Sequence, residues 1–349
     1  MRRTGGALQA RAVPGAWRKA KQIAGPVGQE TDSATTQMRR SYSNVGHMVC
    51  QRWCRRHRRA GAASGLTPRY TVVFIMLLFE YIMPSTHAHH EVQTRPLGIV
   101  AALPQEISHL IEQLRLDPEM RTVSIGRREY YIGILWGRRC VVTLARIGKV
   151  AAATTAAAMI HAFDVGAIVF TGVAGGLGIG MRVGDIVIAR TLMQHDMDAS
   201  PLFPRHQIPL LERDRFDASV DLTDALAGAA QRFVAQSLPA LRAQHRWTLV
   251  QHEPLVYQGL IASGDRFVSD AQARSLLREA APDALAVEME GGAIAQVCYE
   301  YDVPFAVMRT ISDSADDSAT VSFSQFLDEV ASVYSYGVIR DFLQYPGVA

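Results

Sequence analysis

Four acidic residues follow three apolar segments of this 349-residue chain, and each segment has the length of a buried strand. These acids are Glu106, Glu288, Glu290 and Asp313. An unpaired charge inside a core is costly, so acids at the ends of buried strands indicate a site rather than core packing. The carboxyl ends of parallel strands meet at one edge of an α/β sheet, where ligands bind. The sequence therefore predicts one cleft that collects carboxylates from all three segments.

The acids of this cleft suit different chemical tasks. A carboxyl group at the end of a buried strand is desolvated, which raises its pKa. Asp313 could therefore hold a proton for a leaving group, with Ser312 orienting it. A carboxylate with two oxygens can accept hydrogen bonds from two vicinal sugar hydroxyls, which suits Glu290. Arg309 lies within the apolar segment before Asp313, and an arginine in such a place requires a charge partner.

Each of these acids also has a structural interpretation, which the residues alone leave open. Glu288 and Glu290 lie where a strand gives way to a helix, and the helix dipole favours acids there. Asp313 could cap a following turn. Glu106 lies in the first turn of a predicted helix, where surface acids are common. Its assignment to the site therefore depends on Asp313 and Glu290, the other acids of the predicted cleft.

A glycine-rich run at residues 171–180 follows another buried strand. Its spacing is not G-x-G-x-x-G and no helix clearly starts after it, which disfavours a dinucleotide-binding loop. We expect a tight loop in which Gly172, Ala174 and Gly175 let a ligand approach the backbone closely. A plain turn is the alternative.

Strands alternate with helices from residue 96 onward, which predicts a three-layer α/β/α domain. Consecutive β segments early in this region favour a central mixed, twisted sheet. Predicted strands cover residues 97–102, 122–125, 130–136, 140–145, 167–171, 186–189, 260–263, 284–287 and 304–311. Predicted helices cover residues 104–114, 150–163, 222–235, 289–301 and 323–342.

Residues 1–95 differ in composition from the domain predicted at 96–349. They are rich in arginine and lack hydrophobic periodicity, so we expect a disordered extension or a start codon assigned too far upstream. The apolar segment 70–83 contains Glu80 and is too short for a comfortable membrane span. With residues 85–88 it resembles a signal peptide. We expect a cytoplasmic protein without stable membrane insertion of the catalytic domain, with export as the alternative.

The formal net charge of +3 comes from the arginine-rich extension, so the predicted domain is acidic on balance. The domain shows no basic-aromatic pattern of a nucleic-acid groove. Cys140 and Cys298 lie in apolar runs and read as buried small hydrophobes. Cys50, Cys54 and His57 have poor spacing for zinc, and no second ligand pair follows them.

From residue 96 to the end, the chain resembles the 5′-methylthioadenosine/S-adenosylhomocysteine nucleosidases of the purine nucleoside phosphorylase superfamily. The motifs that carry the resemblance occur in the order of that family. They are LGIVAALPQE (97–106), RIGKVAAA (146–153), TGVAGGL (171–177), VGDIV (183–187), SGDRFV (263–268), VEMEGGAIAQVC (287–298) and RTISDSAD (309–316).

The resemblance implies hydrolysis of the bond between adenine and a 5′-thioribose, without a metal or another cofactor. Asp313 would protonate adenine N7, and Glu106 would activate the attacking water with help from Arg309. Glu290 would hold the ribose 2′- and 3′-hydroxyls, with Met289 beneath the sugar.

Recognition of the adenine and of the 5′ group is also implied by the resemblance. Phe267 would stack on adenine, and the backbone of Val268 would read its N1 and N6 edge. The 5′-alkylthio pocket would be lined by Leu103, Ile147 and Phe323. The family is dimeric, so the loop at Leu202-Phe203-Pro204 would complete the pocket of the neighbouring subunit.

Two departures from the family pattern stand out. Val173 replaces a serine found in many relatives, which removes a hydroxyl near the water. Ala145-Arg146 replaces the smaller Ser-Gly often seen before the Ile-Gly-Lys run.

Three other functions stay open at this point. A phosphorylase of the same fold would need anion-binding groups, but Phe170 and Val173 stand where such enzymes have Arg and Ser, and Glu106 would repel phosphate. Other purine nucleosides, such as futalosine-type compounds, could be substrates. The fold could also serve as a non-catalytic nucleoside-binding protein. The preference between methylthioadenosine and S-adenosylhomocysteine depends on how open the 5′ pocket is.

Overall fold

A computed structural model describes residues 95–245, 247–316 and 319–345 of the chain. The predictions for residues 1–94 lie outside these residues. They include the disordered extension, the apolar segment 70–83 and the cysteines at positions 50 and 54. The division of the chain near residue 95 stays a prediction.

Eleven strands are present in the described part of the chain. They are β1 Leu97–Ala101, β2 Arg121–Ile125, β3 Arg128–Leu135, β4 Arg138–Leu144, β5 Ala167–Phe170, β6 Val173–Gly176, β7 Ile186–Gln194, β8 Arg215–Asp217, β9 Val256–Ser263, β10 Ala284–Glu288 and β11 Phe305–Asp313.

Helices follow most of the parallel strands. They are α1 Pro104–Leu114, α2 Lys149–Phe163, α3 Val220–Arg232, α4 Leu238–His245, α5 Ala271–Ala280, α6 Gly291–Glu300, α7 Ala319–Phe326 and α8 Ser332–Gln344. Two single π-helical turns, Phe233–Ser237 and Leu327–Ala331, join α3 to α4 and α7 to α8.

The strands form one mixed sheet in the order β2-β3-β4-β1-β5-β11-β6-β10-β9-β7-β8. Strand β11 also pairs antiparallel with β7, so β11, β6, β10, β9 and β7 close into a ring. Pairs β1–β5 and β5–β11 are parallel, which brings the carboxyl ends of β1 and β11 to the same edge. The predicted mixed sheet is therefore confirmed.

Helices cover both faces of this sheet, which gives the three layers that the sequence predicted. One core cluster buries residues of α1, α3 and α8, including Leu110, Leu226 and Val338. A second cluster on the other face buries Met159 of α2 and Ile294 of α6. Because both faces are covered, β5 and β11 are buried along their whole length, as expected for near-continuous apolar strands.

The glycine-rich run differs from the expected tight loop. Residues Val173–Gly176 form the short strand β6, which pairs with β11 on one side and with β10 on the other. Glycines are needed here because a Cβ at Gly175 would lie 3.0 Å from both Ala315 Cβ and Asp313 Oδ1. The backbone thus approaches the side chains of Asp313 and Ala315 closely at this point.

Several elements differ in extent from the predictions. The strand predicted at 186–189 continues to Gln194, and the one predicted at 260–263 begins at Val256. The helices predicted at 222–235 and 323–342 are each interrupted by a π-helical turn. The predictions missed β8, α4 and α5. Helix α5 is ten residues long, is mostly polar and buries only Leu277, so few apolar residues mark it in the sequence.

No helix in the described part of the chain combines the length and the apolar character needed to cross a bilayer.

Candidate active site

A cavity of about 310 Å³ opens where β1, β10 and β11 end. Strand β10 reaches it from the opposite direction to β11, because β10 is antiparallel to β6 and β6 is parallel to β11. The expectation of one shared carboxyl edge is therefore wrong for β10. The cavity volume lies at the lower end of the range for small-molecule sites. Twelve of the residues predicted for the site line it: Leu103, Glu106, Ile147, Ala174, Gly175, Phe267, Val268, Met289, Glu290, Ser312, Asp313 and Phe323. The structure thus brings together side chains that are far apart in the sequence.

Glu106 is fixed at the start of α1 by backbone amides. Its Oε2 accepts hydrogen bonds from the amides of Ala102 (2.8 Å) and Leu103 (2.7 Å), and its Oε1 accepts one from the amide of Val173 (3.0 Å). The side chain is 3% exposed, and this burial raises its pKa despite the nearby positive charge of Arg309. Three amide donors give the carboxylate one orientation in the cavity.

Asp313 ends β11 and is also buried. Its Oδ2 accepts a hydrogen bond from the Ser312 hydroxyl (2.7 Å), and its Oδ1 accepts one from the amide of Ala315 (2.8 Å). Burial raises the pKa of Asp313, while the Ser312 hydroxyl and the Ala315 amide act in the opposite direction. Ser312 is thus positioned to orient the acid, as the sequence suggested.

Arg309 has the charge partner that its buried position required. Its Nη2 lies 2.7 Å from Glu288 Oε2, and both side chains are almost fully buried. The guanidinium carbon also lies 3.8 Å from the ring centroid of Phe170. Arg309 therefore forms its ion pair with Glu288. It makes no direct bond to Glu106, but its positive charge opposes the rise in the pKa of Glu106.

Glu288 also lines the cavity and is the centre of a hydrogen-bond network there. It accepts hydrogen bonds from the amides of Glu290 and Gly291 and from the hydroxyl of Ser263. The Ser263 hydroxyl in turn accepts one from the amide of Gly292 at 2.6 Å. The sequence reasoning missed Ser263, although it ends β9 directly beside Glu288 in the register of the sheet.

Glu290 faces the cavity with fewer partners than Glu288. Its Oε1 accepts a hydrogen bond from the amide of Gly148 at 2.8 Å. Burial, followed by the negative charge of Glu288, raises the pKa of Glu290 to about 8. A hydroxyl-bearing ligand that donated hydrogen bonds to this carboxylate would favour its ionised form and lower that pKa.

Gly172 does not line the cavity but packs directly behind the carboxylate of Glu106. A Cβ at this glycine would lie 2.6 Å from Glu106 Oε1 and 3.3 Å from Arg309 Nη1. Any larger residue would displace the carboxylate from its three amide donors.

Apolar side chains form the remaining wall. The ring of Phe267 is 38% exposed and meets Phe323 edge-on, with 5.4 Å between the ring centroids. Ile147 is 54% exposed at the mouth of the cavity. These open apolar surfaces suit a flat aromatic ligand and an apolar substituent. Phe203 does not line this cavity, and its role at a neighbouring subunit stays a prediction.

Within residues 95–245, 247–316 and 319–345, no three His, Cys, Asp or Glu side chains are grouped in a way that could hold a metal ion.

Known proteins resemble this chain in sequence and in fold. Residues 96–344 match the model of the phosphorylase superfamily. A 5′-methylthioadenosine/S-adenosylhomocysteine nucleosidase of Staphylococcus aureus is 34% identical over 236 residues, which cover 67% of this chain and 93% of that protein.

Solved structures show the same likeness. The nucleosidase of that name from Neisseria meningitidis, in complex with methylthio-immucillin-A, is 35% identical with a TM-score of 0.62. The match covers 72% of this chain and 99% of that one. The nucleosidase from Colwellia psychrerythraea, in complex with adenine, is 30% identical with a TM-score of 0.62, covering 71% of this chain and 94% of that one.

Proposed function

Since the chain belongs to the 5′-methylthioadenosine/S-adenosylhomocysteine nucleosidases of the phosphorylase superfamily, we propose that it hydrolyses the N-glycosidic bond of these two nucleosides. The products are adenine and a 5-thioribose derivative. One observation carries the proposal: the cavity holds two buried carboxyl groups, Glu106 and Asp313, in different hydrogen-bonding environments. Glycosidic hydrolysis needs one carboxylic acid and one carboxylate.

Asp313 acts as the general acid of the proposed reaction. Its raised pKa lets it carry a proton, which it gives to adenine N7 as the bond between C1′ and N9 breaks. The electron pair of that bond leaves with the adenine, and the sugar passes through an oxocarbenium-like state. Phe267 stacks on the base, and the backbone of Val268 reads its N1 and N6 edge.

Glu106 acts as the general base. It takes a proton from a water molecule whose oxygen attacks C1′ on the face opposite the departing adenine. The amides of Ala102, Leu103 and Val173 hold the carboxylate in one orientation. Arg309 supplies positive charge near this group without pairing with it directly, which favours its ionised form.

The sugar is held between Glu290 and Met289, which line the cavity side by side. The two ribose hydroxyls donate hydrogen bonds to the Glu290 carboxylate, while Leu103, Ile147 and Phe323 surround the 5′-thioether. The glycine-rich strand β6 contributes Ala174 and Gly175 to the wall beside the base.

The proposal extends to the assembly and its location. A homodimer is proposed from the family, with the Phe203 segment of each protomer completing the site of its partner. The reaction is proposed to take place in the cytoplasm. Cys140 and Cys298 are buried free thiols, so no disulfide between them requires an oxidising compartment.

The test is the release of adenine by the purified full chain from methylthioadenosine and from S-adenosylhomocysteine, with and without inorganic phosphate. We expect release without phosphate and no acceleration when phosphate is added. Release that requires phosphate would assign the chain to the phosphorylases and remove the role given to Glu106. No release in either condition would refute the proposed reaction.

A further inference from the structure

A second cavity, of about 450 Å³, adjoins the catalytic one. The two share Ala102, Leu103 and Ile147, so the second cavity begins where the 5′ pocket of the proposed site ends. The lining that belongs to the second cavity alone contains four charged side chains. These are Arg127, Arg128, Glu129 and Arg146, and we refer to this region as the arginine groove.

The charges of this groove are unbalanced among the described residues. Three guanidinium groups face one carboxylate, and no ion pair of the described residues includes any of the three arginines. Glu129 accepts a hydrogen bond from the Tyr131 hydroxyl at 2.6 Å, which fixes its position. The groove therefore has an excess of positive charge and one anchored acid.

The three arginines differ in how far the protein already uses them. Arg128 donates hydrogen bonds to the backbone carbonyls of Ala145, Gly126 and Ala151, so its guanidinium group is already used to hold the fold together. Arg146 donates one hydrogen bond, to the carbonyl of Arg127. No hydrogen bond of the described residues involves the Arg127 side chain, so Arg127 and Arg146 have donors free for a ligand.

The backbone at these two positions is unusual for arginine. Arg127 has a φ of 59° and Arg146 a φ of 70°, in the left-handed region that favours glycine. Arg127 follows Gly126 in the two-residue turn between β2 and β3, where a glycine would fit without strain. Strained non-glycine residues cluster at functional sites, and here both place a cation at the groove.

We propose that the arginine groove binds the α-amino-acid end of a 5′-thioether substituent, with Arg127 and Arg146 holding its carboxylate and Glu129 its ammonium group. The inference rests on the proposed function and makes S-adenosylhomocysteine a better substrate than methylthioadenosine, which carries only a methyl group on sulfur. Planar guanidinium groups match the geometry of a carboxylate, and the apolar Leu103 and Ile147 suit the carbon chain between the two cavities.

Glycine is the informative replacement because it fits the φ values of both positions. In the full chain, we expect Arg127→Gly or Arg146→Gly to lower the ratio of kcat/KM for S-adenosylhomocysteine to kcat/KM for methylthioadenosine by about fivefold. This factor lies at the upper end of what an exposed ion pair contributes to binding. The double variant should lower this ratio further. High salt should reduce the preference of the wild-type protein, because salt screens exposed charges.

Arg139→Gln is the matched control. Arg139 is exposed and pairs with Ile134 near the opposite end of the β3–β4 ladder, outside the groove, so its loss changes the net charge equally. An unchanged substrate ratio in both glycine variants, or the same change in Arg139→Gln, would overturn the proposal.

Equilibrium binding separates the failure of this inference from the failure of the proposed reaction. If the chain releases adenine from neither nucleoside, calorimetric titration with S-adenosylhomocysteine and with methylthioadenosine still tests the groove. Tighter binding of S-adenosylhomocysteine that both glycine variants weaken would support the groove alone. Equal binding of the two nucleosides would reject it.

Discussion

Replacing Glu290 with glutamine should stabilise the ligand-free protein while impairing its site. Glu290 is 6% exposed and lies close to the buried carboxylate of Glu288. Glutamine has nearly the same shape, and its carbonyl oxygen can accept the hydrogen bond from the Gly148 amide. Glu290→Gln therefore removes the titrating group and keeps the packing.

The size of the effect follows from the shift in pKa. Burial and Glu288 raise the pKa of Glu290 from 4.5 to about 8. One pKa unit corresponds to about 1.4 kcal/mol, which sets an upper limit of about 5 kcal/mol. Relaxation around the buried charge reduces this, and we expect about 1–3 kcal/mol in the free energy of unfolding at pH 8.

Whether Glu290→Gln raises or lowers the stability depends on which state, folded or unfolded, binds the Glu290 proton more tightly. The folded protein holds the Glu290 proton more tightly than the unfolded chain does. The resulting stability is fully present below pH 4.5 and is lost as the pH rises towards about 8. The variant lacks this loss, so it should exceed the wild-type protein in stability only slightly near pH 5 and by more at pH 8.

Urea unfolding of the ligand-free protein at pH 5 and pH 8 measures this difference directly. Glu300→Gln is the matched control, because Glu300 is an exposed acid at the end of the same helix, α6. The control removes an exposed carboxylate whose charge the solvent screens, so it should change the free energy of unfolding at pH 8 by less than Glu290→Gln does. A stability gap for Glu290→Gln that is equal at both pH values, or a less stable variant at pH 8, would refute this account of the site.

Three further predictions concern the reaction itself. Asp313→Asn and Glu106→Gln should each lower kcat at least about 100-fold while nucleoside binding stays measurable by calorimetry, and full activity in either variant would refute the role assigned to that residue. Gly172→Ala should lower kcat by about the same factor, because its Cβ would lie 2.6 Å from Glu106 Oε1. Circular dichroism should show that the fold is retained, and an unchanged kcat would contradict the need for a fixed base. Nucleoside binding near pH 7 should release up to about one proton, because ribose hydroxyls favour ionised Glu290. Titrations in buffers of different ionisation enthalpy measure this release, and its absence would argue against a carboxylate–diol contact.

The elements around the site were largely predictable from local sequence. Helix α1 has the predicted bounds, with a proline in its first turn, and β1 and β5 are each within one residue of their predictions. Apolar runs of strand length and helical periodicity are properties of neighbouring residues, so they can be read without the tertiary structure. The position of Asp313 at the end of such a run was visible for the same reason.

Other features depend on contacts between distant segments. Strand β6 was expected to be a loop, because its glycines have low strand propensity and only pairing with β10 and β11 makes it a strand. The sequence indicated that Arg309 needs a partner, but the choice of Glu288 depends on how β11 lies relative to β10.

The sequence by itself determined the α/β architecture, the acids at the strand ends and the motifs of the family. The tertiary structure decided which amides hold Glu106, which carboxylate pairs with Arg309 and how the arginine groove adjoins the first cavity. Periodicity records which face of an element is buried, whereas hydrogen bonds and charge pairs depend on positions fixed to within a fraction of an ångström. Those positions arise only when the whole sheet and its helices pack together.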